Sequence, residues 1–312
     1  MTMAVFRSIW DDIVHAFKSG SMVTRLVIIN FLAYVLVNIA YFVIWVKLGD
    51  RDQAYEALQQ GLQYLCMSSD WHTVLKHLWA PVTSIFLHEG FLHFLGNIIA
   101  LYLFGRIVGD LIGERRVLPI YLLGGLAGNL LFFISAQFFS TMANYALGAS
   151  GAIMALAGSA LILAPDYRVM LFLLGEVKVK YIVLVMVLLD LVGIANQSNT
   201  GGHAAHIGGF LMGCFFVYRL RDGKDLSEPI NRLLQAFLGL FSNRRRTKPP
   251  PRRKTEPAMN VRFGGAKGQG SSATDDMTFQ ERLDAILDKI KANGYESLNQ
   301  EEKDFLFNAS KK

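Results

Sequence analysis

Three clusters of polar and ionisable residues lie in otherwise apolar stretches. The first is His88-Glu-Gly-Phe-Leu-His93-Phe-Leu-Gly-Asn97. The second is Gly148-Ala-Ser150-Gly151, and the third is Gly202-His203-Ala-Ala-His206-Ile-Gly-Gly209. Polar side chains in such surroundings are costly and mark function by default. A serine hydroxyl becomes a nucleophile once a base takes its proton, and an imidazole that titrates near neutrality is the natural base. On spacing alone, both His203 and His206 qualify. The glycines beside Ser150 allow a peptide backbone to approach and a backbone N–H to be presented. His93 and Asn97 are four residues apart and share a helix face, so both can donate to the oxyanion of a tetrahedral intermediate. The chemistry these residue types suit is acyl transfer.

Other polar residues read more blandly. His93, His203 and His206 resemble part of a zinc site, but no carboxylate or thiol joins them at ligand spacing, so no metal is expected. His88 reads as a loop anchor. Asp190 reads as a cavity-facing or backbone-bonding carboxylate, poorly placed to complete a triad. Asn129 reads as a link between helices.

The elements that must position these residues are membrane helices. Of the 312 residues, 52% are apolar and only 18% charged, against about 25% charged in soluble domains. Residues 1–219 hold 13 basic and 12 acidic residues, whereas residues 220–312 hold 18 and 13. This excludes a plain soluble enzyme, and two cysteines exclude a disulfide scaffold. The basic balance sits mainly in the tail, so no nucleic-acid partner is expected. A span needs roughly 20 apolar residues. Leu26–Val46 and Thr83–Gly105 qualify. Val117–Pro165 is uncharged and too long for one helix, and the polar segment Ser140–Asn144 splits it in two. Tyr181–Ala195 and His203–Leu220 complete six.

Basic residues in short loops set the orientation. With the N-terminus inside, the inner loops carry Arg106, Arg115 and Arg116, then Arg168, Lys178 and Lys180. The outer loops Ser140–Leu147 and Asn196–Gly202 carry none. Both ends are therefore expected in the cytoplasm, and all three clusters in the outer half of the bilayer. Residues 1–22 read as an amphipathic helix on the lipid surface, through Phe6, Ile9, Trp10, Ile13 and Phe17. Residues 23–220 form the six-helix domain. Residues 221–275 read as a basic, flexible linker containing the run Ser242–Lys254 and the Gly264–Ser272 stretch. Residues 276–312 form a short helical hairpin with a capping-box-like start at Ser297, too small for a robust core of its own.

In these motifs the chain resembles the rhomboid family of intramembrane serine proteases. The matches are His88-x4-His93-x3-Asn97, Gly148-x-Ser150-Gly151, Ala205-His206-x-Gly208-Gly209 and the Gly209-x3-Gly213 step. The resemblance covers roughly residues 25–220. It implies an all-α, polytopic fold, a six-transmembrane-helix rhomboid-like bundle around a water-filled cavity open to the outside, here followed by a cytoplasmic tail ending in the hairpin. It implies Ser150 as nucleophile and His206 as base, with His93 and Asn97 in the oxyanion hole. It also implies transmembrane protein substrates in a lipid bilayer, no cofactor, and a bacterial inner-membrane location. Oligomeric state is left open. The sequence departs from the family where Trp79-Ala80-Pro81 lacks an arginine after the tryptophan, and where Asp110 and Glu114-Arg115-Arg116 sit in a different register from an acid-x-Arg motif. The rival readings are a rhomboid-like pseudoprotease that binds clients without cutting, and a small transporter using intramembrane His, Asn and Asp. The intact Ser–His pair argues against the first. The lack of an internal repeat argues against the second.

Overall fold

The computed structural model describes residues 2–139, 143–171, 175–241, 279–293 and 298–309, most of them helical. They belong to two units, Met1–Arg245 and Arg246–Lys312. In the first unit, α1 (Thr2–Ser19) leads into the long apolar α2 (Met22–Leu48). A loop follows with α3 (Arg51–Leu62), β1 (Met67–Ser68), α4 (Trp71–Lys76), α5 (Ala80–Thr83) and a 3-10 turn at Ser84–Phe86. Then come α6 (Phe91–Ile112), a 3-10 turn at Glu114–Arg116, α7 (Val117–Ala136), β2 (Tyr145–Ala146) and α8 (Ser150–Leu163). The hairpin β3 (Arg168–Leu171) and β4 (Gly175–Lys178) precedes α9 (Val179–Ala195), α10 (Thr200–Arg221) and α11 (Ser227–Phe241). The second unit holds α12 (Phe279–Asn293) and α13 (Gln300–Ala309).

Several boundaries depart from the sequence expectation. The second apolar stretch does not run as one helix from Thr83. Pro81 starts a single turn, Gly90 adopts φ 78°, and α6 begins at Phe91. His88 therefore lies in the loop before the helix. All-α describes the body of the fold, but two short antiparallel ribbons, β1–β2 and β3–β4, sit in its loops. Residues 227–241, expected to be linker, form α11. The basic run Ser242–Lys254, the Gly264–Ser272 stretch and Ser140–Met142 lie outside the described residues. So do the side chains of Phe6, Ile9 and Trp10; Ile13 is half-buried and Phe17 exposed. Among the described residues, three helical stretches are long and apolar enough to cross a membrane: Met22–Leu48, Phe91–Ile112 and Glu114–Ala136.

The helix ends are tied by side chains. The Ser21 Oγ accepts the Thr24 N–H at 3.2 Å to start α2, satisfying an end donor. The Glu114 carboxylate accepts the Met22 N–H at 2.6 Å. Arg116 pairs with Asp225 at 2.8 Å. Burial works against the Asp225 charge, but bonds from Ser227 and Arg116 outweigh it and hold the carboxyl below its usual range. The Glu114–Arg116 turn thus joins the start of α2 to the end of α10, despite its altered register. The Trp79 indole N–H donates to the Tyr64 carbonyl at 2.8 Å, fixing the loop that lacks the arginine. In the second unit, a capping box forms at Asn299 and Glu302; Ser297, where the sequence suggested one, lies outside the described residues. Each side chain bonds the other's N–H at 2.8 Å. Lys289 also reaches Glu302 at 2.8 Å.

At the centre stands α8, with every residue from Gly151 to Ala160 buried. It packs against α10 and α7 through small residues. A Cβ on Gly209 would fall 1.9 Å from the Gly151 carbonyl oxygen, and one on Gly213 would fall 1.9 Å from that of Ala155. Only backbone-to-backbone contact fits there. Gly213→Ala is therefore expected to destabilise the bundle by about 1–3 kcal/mol, the usual cost of overpacking. The control is Gly61→Ala on α3, where an added Cβ meets nothing within 4 Å. That variant should be neutral or slightly stabilising. Unfolding both in mixed detergent micelles checks the pair, and equal midpoints would refute the close-contact account.

Candidate active site

Ser150 is the first residue of α8. The first N–H groups of a helix have no partner within it, and they form its positive end. The loop that delivers Ser150 is held on two sides. Gly148, at φ 133°, donates its N–H to the Ser84 carbonyl at 2.9 Å. Further back, β2 pairs with β1, Met67 opposite Ala146 and Ser68 opposite Tyr145. A Cβ at position 148 would meet both His93 Cε1, at 3.4 Å, and Ser150 Oγ, at 3.5 Å. Both are ordinary contact distances, so what calls for glycine here is the backbone angle.

His93 and Asn97 come from successive turns of α6. Asn97 is buried, and its Nδ2 makes no hydrogen bond to any described residue. An amide donor left open in this way is costly unless something else occupies it. His88 donates from Nδ1 to the Phe86 carbonyl at 3.2 Å, as a loop anchor would. Glu89 accepts from the Tyr55 hydroxyl at 2.6 Å and from Gln59, which ties the same loop to α3. Asn129 bonds the Pro81 carbonyl at 2.7 Å and Ser84 Oγ at 2.9 Å. It thus links α7 to the segment before α6.

From α10, His203 and His206 both turn their Nδ1 atoms to Asp190 Oδ1, each at 2.7 Å. Asp190 faces the cavity as expected, but it is not poorly placed for the candidate base: it touches that base itself. Ser150, His206, His93, Asn97 and Asp190 together line one cavity of about 300 Å³, completed by Gly96, Ala100, Ile153, Met154, Met186 and Leu189. The four residues singled out from sequence share this cavity; His203 is not among its lining residues.

Among the described residues, Asp190, His203 and His206 are the side chains that could hold a metal, with ligand atoms within 4.8 Å of one another. A carboxylate therefore does join two of the three histidines, while His93 stands apart from the cluster. Ligands around a tetrahedral zinc at about 2.0–2.1 Å sit roughly 3.3 Å from each other. The 2.7 Å separations here are hydrogen bonds. Elsewhere, burial pushes the free Cys66 thiol up to about 12, which keeps it protonated.

Asp190 carried a sequence signal that points to its partners. It lies five residues before the end of α9, while His203 and His206 lie three and six residues after the start of α10. At 1.5 Å per residue, all three stand roughly 4–9 Å from the turn, so a helical hairpin brings them level.

A rhomboid-domain family model matches residues 75–223, and a family of unknown function (DUF6576) matches residues 277–312. The chain is 33% identical to Rhomboid protease GluP of Bacillus subtilis over 161 residues, 51% of this chain and 29% of that protein. It is 26% identical to Rhomboid protein 1, mitochondrial, of Saccharomyces cerevisiae over 208 residues, 64% of this chain and 55% of that one. It is 30% identical to Putative rhomboid protease YdcA of Bacillus subtilis over 147 residues, 45% of this chain and 68% of that one. The matches thus span well under two thirds of the first two relatives.

Proposed function

The chain belongs to the rhomboid family, and from that premise we propose that it is a serine endopeptidase cutting transmembrane segments of other proteins inside the bilayer. It is a multi-pass membrane protein. The proposed arrangement has six spans, α2 and α6 to α10, with both termini in the cytoplasm of a bacterial cell and the lipid-surface helix and tail outside the catalytic bundle. The 14 residues of α8 cover about 21 Å at 1.5 Å each, less than the roughly 30 Å of hydrocarbon. In the proposed orientation α8 is entered from the outer loop and starts below the outer surface, with Ser150 within the bilayer.

The observation that carries this reading is the shared cavity: Ser150, His206, His93 and Asn97 line one space of about 300 Å³. In the proposed mechanism the Ser150 hydroxyl attacks a peptide carbonyl and His206 takes its proton. The Ser150 N–H, Asn97 and His93 hold the oxyanion. His206 then passes the proton to the leaving amine, and water releases the acyl-enzyme. These steps need no metal or organic cofactor.

The test is labelling with a fluorophosphonate in detergent, followed by mapping of the modified peptide. Modification at Ser150 is expected. A folded protein that binds a transmembrane peptide but resists labelling would favour the pseudoprotease reading.

A further inference from the structure

Asp190 is 4% exposed and stands in the middle of an apolar helix. A carboxylate in such a place needs compensating partners. Its Oδ1 accepts two imidazole N–H groups at 2.7 Å, while its Oδ2 has no partner among the described residues. We propose that Asp190 is a positioning residue for the base, completing a Ser150–His206–Asp190 triad, and that His203 is a second tether fixing the carboxylate. The inference rests on the Ser150–His206 reading above.

A carboxylate can only accept, so the proton of His206 sits on Nδ1 and the lone pair on Nε2. The tautomer and the ring plane are thereby set for taking the serine proton. When Ser150 attacks, the hydroxyl proton moves to His206 Nε2 and the ring becomes an imidazolium. The Asp190 charge then stabilises that cation across a short, charge-assisted bond in a low-dielectric setting, and the carboxylate takes no proton itself. The other ionisable groups facing this point are His203 on α10 and His93 on α6.

His203 has its own seat. A Cβ on Gly193, three residues past Asp190 on α9, would fall 2.1 Å from His203 Nε2. The missing side chain leaves a slot in which the His203 ring lies against α9. The two imidazoles stand nearly perpendicular, with ring planes at 89° and centroids 5.8 Å apart. Each therefore approaches the same oxygen from a different direction. His206 adjoins the cavity, whereas His203 lies outside its lining, which divides their roles into base and tether.

The experiment compares the full-length parent with Asp190→Asn in detergent. It measures kcat and KM on a transmembrane model peptide and the rate of fluorophosphonate labelling per folded molecule. In labelling, the Ser150 Oγ–P bond forms, the P–F bond breaks, and fluoride leaves as His206 takes the proton. Asparagine keeps the volume but loses the charge, and it can offer a donor that favours the wrong tautomer. The expected loss is about tenfold to a hundredfold in both kcat and labelling rate, the worth of one charged hydrogen bond, with KM essentially unchanged. A parent that does not label at Ser150 would overturn the serine-protease reading itself. A parent that labels, beside an Asp190→Asn protein labelling at the same rate per folded molecule, would overturn the role of Asp190 alone. Activity lost to a chelator and restored by zinc would make the cluster a metal site, and would also overturn it. Where Asp190→Asn does not fold, Gly193→Ala takes its place. The methyl displaces the His203 ring, and kcat should fall severalfold at constant KM. An unchanged kcat in that variant would refute the tether.

Discussion

Ser150→Ala is expected to abolish cleavage of a membrane-embedded model peptide while the protein inserts, folds and melts as the parent does. The first half follows from the chemistry. Without the hydroxyl no acyl-enzyme forms, and in a soluble serine protease removal of the nucleophile costs about 2 × 10⁶ in kcat. The second half follows from the local structure. Ser150 opens α8, its N-cap Ala149 makes no side-chain capping bond, and the Ser150 hydroxyl bonds no described residue. Alanine is the best helix former and carries one atom less into that position. Peptide cleavage and thermal unfolding measured on the same purified protein check both halves together. Cleavage at the parent rate would refute the nucleophile assignment. Lost cleavage with an equal loss of folded protein would make Ser150 a packing residue.

The candidate site was legible because its parts are polar residues in stretches where polarity is expensive. Ser150, His93, Asn97 and His206 stand out from their neighbours by residue type, and each lies in the first or second turn of an apolar helix. Their common cavity follows once those stretches become antiparallel helices. The role of Asp190 was not legible in the same way, because its partners are set by the register of a helical hairpin. That register depends on where α9 ends and α10 begins, and the expected boundary at His203 falls three residues after the true start at Thr200. Counting outward from the turn at 196–199 recovers the pairing.

Hydropathy alone also misplaced the start of α6. Ile85, Phe86 and Leu87 continue the apolar run, yet the short turn that contains Pro81, the 3-10 turn at Ser84–Phe86 and the positive φ of Gly90 keep the segment before Phe91 out of the helix. The result matters for chemistry, since it takes His88 out of the helix and leaves His93 in its first turn. The helix α11 is obscured for a similar reason: its apolar residues directly precede the basic run, and by composition the two merge into one polar tail. In the structure, Asp225 and Asn231 tie that region back to Arg116 and Arg115. The glycines of α10 were legible as a spacing, but their tightness was not. In the folded bundle, positions 209 and 213 lie directly against backbone oxygens of α8.

His206→Ala should lower kcat at least about a thousandfold, and His203→Ala should cost far less. Sequence spacing alone cannot rank the two, since they lie three residues apart on one helix. Their hydrogen bonds cannot rank them either, because both reach Asp190 at 2.7 Å. The cavity does separate them. His206 lines it together with Ser150, while the His203 ring is seated over Gly193. Removing the base leaves the oxyanion donors and the substrate site intact, so a residue of catalysis survives, as it does when the histidine of a soluble triad is deleted. Removing His203 takes away one of two bonds to a carboxylate that keeps the other. A hydrogen bond to a charged group is worth about 1.5–3 kcal/mol, so even its full loss costs about a hundredfold at most, and here it reaches the chemistry only through the carboxylate. Both variants should retain the parent's KM for a transmembrane peptide, because neither assignment gives the imidazole a part in ground-state binding. The measurement is kcat for the two single variants at equal folded concentration. If His203→Ala proved the more damaging, the base would be His203. Asp190 would then orient the opposite ring, and the cavity lined by His206 would not be where the serine loses its proton.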